Sequence, residues 1–336
     1  MRAGFFARRC APCRVQRFRC EHCGRYFSEQ SFRSTYWLKC PALLAETFHA
    51  LTHCTGYRQL ARKHGCSPQT VQRHAMRLGR HCQLFHEQRR PTGELTEPLC
   101  LDGFRTFEGS QYHPSEFHQV VGQRSHFIYG FTHSELRRSG SMTARQRARR
   151  AELERAHGRP DPRSVEREVA RVVGIVTAGA KAVEIHSDEN PAYERALSDM
   201  GEIEVSHRTI SSRAARTSRN PLFAINLLDL LTRHSCANQK RETIAFSKSV
   251  GSAIARMWVL LAWRNYCKWF SERRRDGTPA MKAGVCTHRW SVRQLLKERL
   301  FPGRIELPGA WAEHYWGRVP TRQIPNPQRH TLRYAN

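Results

Sequence analysis

Two aspartates sit in short apolar runs of a chain otherwise dominated by positive charge: Asp102 within "PLCLDGFRTF" and Asp188 at the end of "AVEIHSD". Hard divalent cations select oxygen ligands, and carboxylates delivered by rigid strands provide them. In-line transfer at a phosphodiester calls for two Mg²⁺ ions about 3.5–4 Å apart, one activating the attacking oxygen and one stabilising the leaving oxygen. The third ligand is sought in "PLFAINLLDLLTRH". As a helix, this stretch sets Asn226, Asp229 and Arg233 on a polar stripe, opposite a buried side of Leu222, Phe223, Leu227, Leu230 and Leu231. Asn226 and Asp229 can then both look into one site. Glu242 is a further candidate, but after Lys240 and Arg241 it reads more simply as a surface ion-pair partner. His186 and Glu189, flanking Asp188, read as solvent-facing or supporting groups.

The second constellation is "CAPCRVQRFRCEHCGRYF", with the pairs Cys10/Cys13 and Cys20/Cys23. Four thiolates in two close pairs suit one structural, tetrahedral Zn²⁺, and Gly24 lets the chain turn back so that backbone N–H groups face the sulfurs. The short spacer between the pairs leaves an alternative, in which Cys10 and Cys13 are incidental and a first zinc knuckle has been lost upstream. Further on, "SPQTVQRHAMRLGRHC" opens with Ser67 as N-cap and Pro68 at the first helical position. A short helix, a turn at Gly65 and this longer basic helix form a helix-turn-helix pattern. Gln69, Thr70, Gln72 and Arg73 then lie where side chains reach base edges in the major groove. The alternative is a helical hairpin with a solvated basic face.

The elements that must position these groups separate by composition. Residues 1–40 form a zinc-ribbon-like segment and 41–90 the helix-turn-helix domain. The 97–270 region is the largest, and 271–336 is a basic tail without assigned chemistry. Within 97–270, three strand-like runs precede a long Arg-rich stretch, 137–171, read as a basic helical insert that is solvated or contacts DNA. "AVEI" supplies a fourth strand, and helices follow. Three strands, a helical crossover, a fourth strand and further helix give an α/β class with the element order of a ribonuclease-H-like catalytic domain.

Composition bounds the partners. The 336 residues carry 56 Lys and Arg against 29 Asp and Glu, a formal charge of +27. Such an excess favours a polyanion, with double-stranded DNA the natural one. The most apolar stretch, "MWVLLAW" at 257–263, is far shorter than the roughly 20 residues of a spanning helix, so a membrane is not expected. The first residues lack the apolar run of a signal peptide, and the expected location is cytoplasmic, in bacteria at the nucleoid. The twelve cysteines then read as reduced thiols or metal ligands. No Ser-His-Asp signature or Gly-rich phosphate loop appears, which leaves serine-hydrolase and nucleotide-dependent functions without support.

The run "VQRFRCEHCGRYFSEQSF" resembles the N-terminal zinc ribbon of DDE-type insertion-sequence transposases, and "RETIAFSKSV" with "WRNYCKW" is similar to the C-terminal part of their catalytic domain. The resemblance covers most of residues 1–270. It implies binding of terminal inverted repeats by ribbon and helix-turn-helix, then Mg²⁺-dependent cleavage and strand transfer by a homodimer or higher assembly that pairs two DNA ends. Asp102 and Asp188 fall where the first two catalytic acids belong. Relatives carry a Glu at the third position, and here that place is Asn226, with Asp229 one turn later. Position favours Asn226; charge favours Asp229, because a carboxylate holds Mg²⁺ far better than a neutral amide. The missing Glu leaves room for two alternatives, a catalytically decayed transposase or a DNA-binding regulator that uses only the ribbon and helix-turn-helix.

Overall fold

The computed structural model describes residues 1–201 and 203–322, so the last part of the 271–336 tail lies outside the described residues. The chain begins with a small antiparallel sheet of β1 (Arg2–Ala7), β2 (Arg14–Arg19) and β3 (Tyr26–Ser28), in the order β1-β2-β3. Three helices follow: α1 (Leu43–Thr52), α2 (Tyr57–Lys63) and α3 (Pro68–Glu87). Leu43, Leu60, Ala61 and Val71 pack together at their junction, and Gly65, at φ +58°, makes the turn that a side chain would strain.

The larger sheet is built from β4 (Leu99–Phe107), β5 (Pro114–Gly122), β6 (Ile128–Glu135), β7 (Ala182–Ser187) and β8 (Glu204–Thr209). Its order is β6-β5-β4-β7-β8. The first three strands form an antiparallel meander; β4–β7 and β7–β8 are parallel pairs. Between β6 and β7 run α4 (Ala144–His157) and α5 (Ser164–Val176), and α6 (Pro191–Ser198) links β7 to β8. Next come α7 (Phe223–Ser235) and α8 (Val250–Ala262), then the short helices α9 (Pro279–Lys282), α10 (Val292–Leu295) and α11 (Gly309–Trp316). Helix α5 packs on β5 and β6, and α7 on β4 and β5, so the sheet is covered on both sides and the architecture is mixed α/β.

Three sequence expectations change. The Arg-rich 137–171 stretch is not a uniform solvated insert: α4 is mostly exposed, but α5 is the crossover helix, with Val169, Val172, Val173 and Val176 buried. Its valines recur at helical spacing around Arg167 and Arg171 and turn to the sheet, while Arg167 faces out. The fifth strand, β8, was not anticipated, because "EVSHRT" is a polar edge strand with one neighbour and little need of apolar residues. Helix α7 buries Leu222, Ala224, Ile225, Leu228 and Thr232, whereas Phe223, Leu227 and Leu231 are half-buried and Leu230 is 65% exposed. Of the expected buried side, Leu222 is buried, three residues lie at the margin and only Leu230 turns outward.

Helices α1 and α3 share one continuous core with the large sheet: Leu44, Phe48, Leu78, Cys82 and Phe85 pack into the same cluster as Phe117, Ile185 and Trp258. At the α3–α8 crossing a Cβ on Gly79 would stand 2.6 Å from the Ala255 Cα, so only glycine allows the two backbones to approach this closely. No helix among the described residues is long and apolar enough to cross a membrane.

Candidate active site

Register brings the two sequence-derived aspartates together. Parallel pairing of Leu99 with Ile185 and Cys100 with His186 carries the strands forward in step, so Asp102 and Asp188, each two residues further on, come out side by side. Helix α7 adds Asp229. Its Oδ1 accepts a hydrogen bond from Gln119 Nε2 at 3.1 Å, and Gln119 is the residue directly opposite Asp102 in the β4–β5 ladder. Cross-strand partners point to the same face, which places Asp102 and Asp229 on one side of the sheet.

Each carboxylate is fixed through one oxygen. Asp102 Oδ1 accepts the Gly103 N–H at 2.7 Å, Asp188 Oδ1 the Asn190 N–H at 3.2 Å, and Asp229 Oδ1 the Gln119 amide. Among the described residues the second oxygen of each accepts no hydrogen bond. Burial pushes Asp102 up to about 7, and the charges of Asp188 and Glu116 add to the rise. Burial likewise pushes Asp229 up to about 7, reinforced by Asp102. Acids that raise one another in this way form a site deficient in positive charge.

The donor set of three aspartates offers only oxygens, which fits Mg²⁺ better than a soft metal. Among the described residues, however, no three His, Cys, Asp or Glu side chains already converge tightly enough to hold an ion. The acids line the site without closing on one point.

Asn226 is half-buried on α7, one turn before Asp229, and it is Asp229 that is tied to the strand carrying Gln119. Glu242 is exposed in the turn after the helix, away from the stripe. His186 is buried, not solvent-facing: its ring bonds Glu184 Oε1 at 2.7 Å and the Gln123 amide at 3.2 Å. Glu189 is exposed and accepts the Ser212 N–H at 3.0 Å. That bond anchors the linker "SSRAARTSRN", in which residues 211–219 are all exposed. Its Arg216 lies close enough to Asp102 and Asp229 to pull both acids back down. Two signals were available in the sequence: Gln119, polar in the middle of an apolar strand, and three arginines spaced through a linker between strand and helix.

The other expected sites separate. At the start of α3, Gln69, Gln72 and Arg73 are exposed. Thr70 is engaged in the cap: its N–H donates to Ser67 Oγ at 3.2 Å and the two hydroxyls share a 3.0 Å hydrogen bond.

Among the described residues the four cysteines do not converge on one point. Cys10 and Cys13 lie in the turn before β2, and Cys20 and Cys23 in the turn after it, so the six residues of β2, about 20 Å of extended chain, separate the pairs. Cys10 is turned toward the Leu38 carbonyl, 3.6 Å away. Cys20 and Cys23 do form a knuckle: Gly24, at φ +69°, donates to the Cys20 carbonyl at 2.9 Å. The Cys23 N–H, its thiol and the His22 N–H hold the Cys20 thiol below the usual range. Cys20 and Cys23 thus share one tight turn, and Cys10 and Cys13 lie at the other end of β2.

No family model matches the chain, and no curated protein matches it. Among solved structures it is similar to a chain of the simian T-cell lymphotropic virus intasome in complex with PP2A regulatory subunit B56 gamma. The identity is 12%, the TM-score 0.24, and the match covers 77% of this chain and 74% of that one. A likeness at that TM-score carries no weight for fold or function.

Proposed function

We propose that the chain is a transposase, an enzyme that binds the ends of a DNA element and cuts and rejoins phosphodiester bonds with Mg²⁺. The observation that carries this reading is the register of β4 and β7, which sets Asp102 beside Asp188 while α7 brings Asp229 to the same face through Gln119. The sheet order β6-β5-β4-β7-β8, with an antiparallel meander followed by two parallel strands, supports a ribonuclease-H-like catalytic domain. The resemblance of the Cys20–Cys23 knuckle and the Phe-Ser-Lys region to insertion-sequence transposases supports the same class.

Asp102, Asp188 and Asp229 would hold the metal, and Asp229 takes the third place in preference to Asn226. Mg²⁺ at such a site supplies charge stabilisation at the attacking and leaving oxygens. The protein's own part is to fix one oxygen of each acid and aim the other. Arg216, on the exposed linker beside the acids, is placed to meet a backbone phosphate. The exposed first turn of α3, with Gln69, Gln72 and Arg73, is the surface proposed for duplex recognition. Two DNA ends must be held at once, so a dimer on DNA belongs to this reading.

The test is nicking of supercoiled plasmid carrying the element's flanking sequences. Wild-type protein should nick only with Mg²⁺ or Mn²⁺, and Asp102→Asn and Asp188→Asn should bind the same DNA without nicking it. Metal-dependent nicking retained by either variant would reject the assignment, and binding without nicking by the wild type would favour the DNA-binding regulator.

A further inference from the structure

Most of the large hydrophobic side chains left exposed among the described residues lie in the first 37 positions. Phe5 is 52% exposed, Tyr26 58%, Phe32 51% and Trp37 83%. A scattered exposed aromatic needs no explanation, but a concentration in one short N-terminal segment does. Phe32 belongs to a row of rings, with the partly exposed Phe27 beside it. Phe18 on β2 and Phe27 on β3 are cross-strand partners, stacked at 5.4 Å between centroids. Phe27 meets Phe32 edge-on at 5.8 Å, and Phe32 meets Phe301 at 6.3 Å. The row thus runs from the N-terminal sheet onto a segment near the end of the described chain, and the backbone bond from Arg299 N–H to the Phe32 carbonyl, 2.7 Å, fixes the two together.

Guanidinium groups accompany the rings. Arg14 lies 4.0 Å over Phe5, Arg299 4.9 Å and Arg304 5.8 Å over Phe301. Residues 1–40 hold nine Arg and Lys against only Glu21 and Glu29. Aromatic faces interleaved with arginine, on a strongly positive surface, are how proteins hold unpaired nucleotides: bases stack on rings while the guanidiniums meet phosphates. A duplex keeps its base faces inside the helix, so such a row has nothing to stack on until the strands part.

We propose that this face is a stacking platform for single-stranded DNA, the unpaired strand exposed when an element end is opened. The choice of DNA rests on the function proposed above; the presence of a platform does not, because binding is read without cleavage. The experiment is fluorescence anisotropy of full-length protein, without Mg²⁺, on labelled oligothymidylate, oligouridylate and a duplex of equal length. Phe27→Leu and Phe32→Leu keep apolar bulk but remove the ring. Each should weaken oligothymidylate binding by about 5- to 100-fold and leave duplex binding unchanged, since each stacked base contributes about 1–3 kcal/mol. Phe27→Tyr and Phe32→Tyr should restore it.

Equal losses on single strand and duplex, or no loss in the leucine variants, would overturn the proposal. So would self-association of the wild type that the leucine variants abolish, which would make the face a contact between two copies. Tighter binding of oligouridylate would overturn the choice of DNA, whereas a platform that binds oligothymidylate on a chain that cuts no DNA would reject the transposase reading alone.

Discussion

At the scale of single residues the site turns on whether Asp229 or Asn226 completes it. Asp229→Ala should reduce metal-dependent nicking by at least about 100-fold, because even residues that only support a metal ligand cost 10- to 100-fold when removed. Asn226→Ala, which removes a neutral amide one turn away, should stay within about tenfold in the same assay. The order would be reversed if Asn226 were the ligand. The raised acids also make a stability prediction. Asp102 and Asp229 titrate near about 7 in the folded chain against about 3.9 when unfolded. Between those values the folded state binds the extra proton, so their contribution to stability is present at low pH and is lost as pH climbs through about 7. Metal-free Asp229→Asn should therefore melt higher than wild type at pH 8 and about equally at pH 4, read by calorimetry, while being inactive. A lower melting temperature at pH 8 would mean the carboxylate is already compensated.

At the scale of elements, function depends on how α7, the arginine linker and α3 are held. The linker between β8 and α7 is anchored at Glu189 and carries Arg216 over the acids. If Arg216 meets a phosphate, Arg216→Ala should weaken DNA binding uniformly across sequences and reduce the slope of log K against log salt by about 1. A sequence-dependent loss would make it a base contact instead. Helix α3 has two roles, an exposed first turn and a second half locked to α8 through Gly79. Gly79→Ala should destabilise the chain by roughly 1–3 kcal/mol, since a methyl cannot enter that crossing without moving backbone. Urea unfolding checks this: a loss confined to α1–α3 would show that these helices fold apart from the sheet, against the continuous core seen here.

At the scale of the whole molecule, charge and buried histidine set the response to solution conditions. With a formal charge of +27, duplex binding should fall steeply with salt through counterion release. Burial lowers His86, His118 and His314 to about 3, and His81 and His126 to about 4. The unfolded chain takes up protons on these rings below about 6.5. Their contribution is complete above that pH and is lost as pH falls toward 3–4. Each ring takes away at most about 1.4 kcal/mol per pH unit in that window. Five histidines outweigh the two raised aspartates, whose effect runs the other way, so melting temperature should drop between pH 6.5 and 4.5. A flat profile would show that the rings are reached by water.

The sequence by itself determined the pieces whose information is local. Apolar runs carrying or ended by an acid gave strands at Asp102 and before Asp188, Ser67 and Pro68 marked the start of α3, and Cys20, Cys23 and Gly24 marked a tight turn, because caps, turns and alternation are written in neighbouring residues. Tertiary structure decided what depends on distant partners. The face of α7 that meets the sheet carries Ala224, Ile225, Leu228 and Thr232, and Asp229 joins it through Gln119 while Leu230 points outward. Whether two CxxC pairs meet is settled by which end of β2 each occupies, and spacing in the chain is silent on that. The edge strand β8 carries a weak local pattern and exists because β7 provides a strand to pair with, whereas the clear apolar stripe of α5 finds its partner, the meander, only in the packed fold. Hydrophobic burial is non-directional and collective, so a sequence names the residues that can be buried while the packed assembly selects the face.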